Sequence, residues 1–74
     1  MSGQNQQKLS TAEFYKNELE ENQRSIDALI ALLEHEGEKH PHYNQLNSLK
    51  NRNQEIDTQL ISLNEIINNL KDKN

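Results

Sequence analysis

Along residues 46–70 apolar side chains recur in alternating steps of three and four. The positions are Leu46, Leu49, Ile56, Leu60, Leu63, Ile67 and Leu70, with Asn53 in the one remaining place. Such a seven-residue recurrence lays a narrow stripe along one side of a helix, the pattern of a coiled-coil seam. Residues 46, 53, 60 and 67 are then a positions, and 49, 56, 63 and 70 are d positions. Residues 12–33 carry a second stripe of the same period through Ala12, Tyr15, Leu19, Asn22, Ile26, Leu29 and Leu33. Two helices, each with one apolar edge, are predicted.

Their ends are marked by local chemistry. Ser10 and Glu13 have the spacing of a capping box, and Leu9 and Phe14 that of a hydrophobic staple, which predicts a helix over 11–36. Residues 1–9 are polar and lack apolar period, so they are expected to form a disordered arm. Gly37 can adopt the left-handed conformation that closes a helix, and Pro41 suits a first helical turn. The second helix is therefore expected over 41–71, with a turn at 37–40. So short a link forces two long helices to lie side by side and antiparallel. Folding there brings Leu33 beside Leu46, Ile26 beside Asn53, Asn22 beside Ile56 and Leu19 beside Leu60. The fold class read from the pattern is all-α, one domain over 10–72, an antiparallel two-helix coiled-coil hairpin.

Several apolar residues fall outside this seam. Ile30 and Leu32 flank the first stripe, and Ile61 and Ile66 flank the second. A stripe widened in this way needs more than one neighbour. One seam of half-covered side chains is also a small core for a chain of 74 residues. Dimerisation of the hairpin into a four-helix bundle is therefore expected, with Ile30, Leu32, Ile61 and Ile66 as the oligomer or partner surface. Asn22 and Asn53 occupy seam positions, where a buried amide fixes register at a cost in stability.

Composition narrows the remaining possibilities. The chain has no cysteine, hence no disulfide, thiolate metal site or thiol nucleophile. No apolar run approaches the ~18 residues of a membrane span, and the polar start does not read as a signal peptide, so a cytoplasmic protein is expected. Twelve acidic residues against eight basic ones, net charge −4, argue against direct binding of nucleic acid. The polar faces are not basic, which argues against a membrane-surface helix. The carboxylates lie at solvent-facing helix positions, and no glycine-rich phosphate loop or Ser/His/acid array is present. Neither catalysis nor a cofactor is expected.

The stretch HEGEKHPHY gathers all three histidines, His35, His40 and His42, among glutamates. Such donors suit zinc or nickel, yet no H-E-x-x-H helix motif is present and the expected turn splits them between two segments. The words also resemble the H-TGEKP-Y linker between C2H2 zinc fingers. A finger holds its zinc through two cysteines, and this chain has none. The stretch is read as the turn.

The function expected from these features is that of a non-enzymatic coiled-coil interaction module, an assembly, adaptor or scaffold subunit that binds protein, itself or another. The alternative rests on charge, since eight of the acidic residues lie between 13 and 38. On that reading the chain is a small acidic regulatory inhibitor, of the phage or mobile-element type, that blocks a nucleic-acid-processing host protein.

Overall fold

A computed structural model describes residues 2–72. Helix α1 spans Ser2–Glu36 and helix α2 spans Leu46–Asp72. Single 3-10 turns at Gly37–Lys39 and Tyr43–Gln45 lie between them. The described residues contain no strand. The helices run antiparallel as a rod of 57 × 15 × 13 Å. Its radius of gyration is 16.7 Å, against about 11 Å for a compact domain of this length.

The inward positions of α2 are those of its heptads. Ile56, Leu63 and Ile67 are buried, and Leu46, Leu49, Asn53, Leu60 and Leu70 are half-buried. In α1 the inward column differs from the expected one. Leu9, Ala12, Lys16, Leu19, Gln23, Ile26, Ile30 and Leu33 turn inward, again in steps of three and four. The d positions 12, 19, 26 and 33 are common to both registers. The a positions are 9, 16, 23 and 30, so Tyr15, Asn22 and Leu29 move to the neighbouring g column and are exposed. Ile30 thus belongs to the seam and Leu29 does not.

The charges on α2 favour the observed face. With 16, 23 and 30 inward, the e column of α1 becomes Glu13, Glu20, Asp27 and Glu34, an acid at every seventh place. Across from it, Lys71 Nζ lies 4.0 Å from Glu13 and Lys50 Nζ lies 3.0 Å from Glu34. The expected register would instead have set Lys16, Gln23 and Ile30 on that flank, with no acid for either lysine.

Both helix starts also differ from expectation. Helix α1 continues through 2–9, where a disordered arm was expected; Met1 of that arm lies outside the described residues. Gln and Lys are good helix formers, and Leu9 packs against the cluster of Leu19, Ile56, Leu63 and Ile67. Ser10 consequently lies inside the helix and does not cap it. Helix α2 starts at Leu46, not at Pro41. The proline holds His40 extended, at φ −76° and ψ 133°, as a proline does to the residue before it. Gly37 takes φ +67° and closes α1, so residues 37–45 form the link.

Candidate interaction surface

The seam divides the rod into two broad flanks. The first carries the e columns and, beyond them, the b columns. It is laced with charge through the Glu13–Lys71 and Glu34–Lys50 pairs. At mid-rod Asn53 Nδ2 donates to Asp27 Oδ1 at 2.6 Å, and Gln23 Nε2 donates to Asp57 Oδ1. Ile61, 62% exposed, is the one large aliphatic of this flank among the described residues.

The second flank carries the g and c columns and is less charged. Tyr15, Leu29, Leu32 and Ile66 are all exposed there, Tyr15 and Ile66 at 51% each. Between the helices a shallow groove is floored by Leu19 and Ile56 and walled by Tyr15, Asn22, Arg52, Glu55 and Gln59. The walls combine one aromatic ring, two amides, one guanidinium and one carboxylate. All five wall residues are exposed.

The residues singled out from sequence separate accordingly. Leu19, Leu33, Ile56, Leu63 and Ile67 form the buried core, with Leu33 fully enclosed near the turn. Ile26, Ile30, Leu46, Leu49, Leu60 and Leu70 line the rest of the seam, half-buried. Asn53 points inward, and its Oδ1 is buried with no hydrogen-bond partner among the described residues. Asn22 is exposed on the second flank, where the seam position was expected. Of the four proposed surface residues, Leu32 and Ile66 share the second flank, Ile61 lies on the first, and Ile30 is in the seam. The sequence reading did not single out Tyr15 and Leu29 as surface residues, nor Gln23 as an inward one. The seven-residue column of acids from Glu13 to Glu34 was the signal that could have placed all three.

His40 and His42 lie in the link, whereas His35 is exposed on the last turn of α1. His40 Nδ1 accepts the backbone N–H of His42 at 3.0 Å, and its Nε2 lies 4.0 Å from Glu36. The two imidazole rings stand 5.7 Å apart at 48°. Among the described residues no three His, Cys, Asp or Glu side chains are grouped so as to hold a metal ion. No helix of the described residues is long and apolar enough to cross a membrane.

Neither a protein-family model, nor a curated protein, nor a solved structure matches this chain.

Proposed function

We propose that this chain is a non-enzymatic protein-interaction module, an assembly or adaptor subunit, that works as a homodimer of hairpins forming a four-helix bundle. The observation that carries this reading is the g/c flank. Tyr15, Leu29, Leu32 and Ile66 gather apolar surface on one side of the rod, while the other side carries the charge pairs and Ile61, and Phe14 is exposed on the outer face of α1. A rod of two helices buries little per residue, and among the described residues five side chains reach core burial. A second layer of helices against the apolar flank supplies the missing burial. In this reading the chain works in the cytoplasm, where its lack of cysteine has no consequence.

Light scattering tests the reading. The expected mass is twice 8.6 kDa at about 100 µM. It should persist at about 0.5 M salt, because apolar contacts are not screened. A mass of one chain under both conditions would overturn the homodimer. A monomer that instead captures a basic, nucleic-acid-binding protein, and loses it in salt, would favour the acidic-inhibitor reading. Against that alternative, Glu13 and Glu34 already face lysines of their own chain.

A further inference from the structure

The exposed g column of α1 consists of Lys8, Tyr15, Asn22, Leu29 and Glu36. Reversed about Asn22, this column is complementary to itself. A base meets an acid at each end, an aromatic ring meets an aliphatic side chain in each intermediate layer, and an amide meets an amide at the centre. Within one chain Lys8 and Glu36 are about 42 Å apart along the helix and cannot pair. An isologous interface requires this property, since every contact there occurs twice with its partners exchanged.

Helix α2 lies on the same flank without the same complementarity, since reversal about Gln59 sets Arg52 beside Ile66 of the second copy. Its g column includes Arg52, Gln59 and Ile66, and Gln59 lines the same groove as Asn22. A two-fold axis beside Asn22 therefore also passes beside Gln59. We infer that a second copy of this chain seats on the g/c flank with its turn at the opposite end. In this dimer α1 lies against α1 and α2 against α2, and Lys8 pairs with Glu36 of the second copy at both ends. The inference rests on the homodimer reading above and adds its face, orientation and register.

Charge selects this orientation over the other two-fold arrangement. With both turns at the same end, α1 would lie on α2 and both Arg52 side chains would share one layer. With the turns at opposite ends, the two arginines separate and each approaches Tyr15 of the second copy, whose ring face attracts a guanidinium. The rod also has surface to spare for such an interface. The chain exposes 5710 Å², whereas a compact monomer of 8.6 kDa exposes about 4,700 Å². The surplus, about 1,000 Å², is spread over the whole rod and exceeds the roughly 800 Å² per partner that a standard interface covers.

The test combines charge reversal with a single introduced thiol. Lys8→Glu and Glu36→Lys each set like charges together at both ends. Each is expected to weaken dimerisation about tenfold at about 50 mM salt, and the double variant is expected to restore it. Asn22→Cys places the chain's sole thiol at the axis, so a short bismaleimide should link two copies. Asn17→Cys, on the opposite flank, should not link. All four positions are exposed, and helicity by circular dichroism should equal that of the unaltered chain. A dimer in which the reversals have no effect, or in which Asn17→Cys links and Asn22→Cys does not, would overturn this register while leaving the homodimer standing. A monomeric unaltered chain would overturn both.

Discussion

Asn53 on α2 donates its side-chain amide to Asp27 on α1 at 2.6 Å, and Gln23 on α1 donates its own to Asp57 on α2. The two bonds mirror each other. In each, an a-position amide of one helix reaches an e-position carboxylate of the other. Asp27 and Asp57 would otherwise face each other as like charges at mid-rod. Each instead has a donor from the opposite helix. Sliding one helix by a heptad would separate both amides from their carboxylates and set them against aliphatic layers. The polar layer therefore marks one register among several that the apolar stripe alone would accept.

Replacing Asn53 by leucine should exchange that specificity for stability. The buried Asn53 Oδ1 has no partner among the described residues, and an unsatisfied buried carbonyl costs about 1–3 kcal/mol. Leucine fills the a position without that cost, and Asp27 is exposed and can take water in place of the amide. The melting temperature of Asn53→Leu is expected to rise by about 4–8 °C. Sedimentation velocity should show additional oligomeric species, since the register marker is gone. A clearly lower melting temperature would contradict this account.

The tip offers a test of conformation separated from packing. Gly37 has φ +67°, yet a Cβ built on it meets nothing within 4 Å. Gly37→Ala should therefore lose stability through backbone strain alone, by about 1 kcal/mol, seen as a lower urea midpoint. A synthetic chain with D-alanine at 37 fits the same backbone and restricts the unfolded state. Its midpoint should rise, by about 0.4–1 kcal/mol of stability. If both alanines destabilise equally, the turn conformation is not the cause.

How far the sequence specifies this fold can be seen residue by residue. The stripe from Leu46 to Leu70 is legible because one apolar residue or amide stands at every a and d place. Gly37 is legible because only a few residues tolerate its conformation. The α1 register is less so, since Tyr15 and Leu29 compete with Lys16 and Ile30 for the place beside the shared d column. Hydrophobicity favours the wrong face there. The charges of Lys50 and Lys71 on the other helix favour the right one, and that information is not local to α1. The start of α1 was misplaced for a related reason. Ser10 and Glu13 have capping-box spacing, but Leu9 gains burial against α2 and draws the helix past them.

The charge pairs of the first flank should contribute little in isolation. Lys50 and Glu34 are 3.0 Å apart, with side chains about half exposed. A double-mutant cycle through Lys50→Ala and Glu34→Ala is expected to give a coupling of about 0.2–1 kcal/mol. The coupling should shrink at about 1 M salt, where the screening length falls to roughly 3 Å. Lys50→Glu should cost more than Lys50→Ala, because it sets an acid against Glu34. Adding Glu34→Lys should recover the difference. A coupling of zero would remove this pair as a reason for the observed register.

Leu29 and Ile30 are sequence neighbours with different assignments, and their alanine variants should separate seam from flank. Ile30 is half-buried between the helices, so Ile30→Ala should lower hairpin stability by about 1–3 kcal/mol at any protein concentration. Leu29 is 40% exposed on the g/c flank and contributes little to the hairpin itself. Leu29→Ala should act through dimerisation, and mass action makes such an effect depend on concentration. Its melting temperature should approach that of the unaltered chain on dilution below the dissociation constant and fall behind it above. Ile30→Ala should lag at both extremes. Identical concentration dependence for the two variants would place both residues in one interface and remove the distinction between seam and flank.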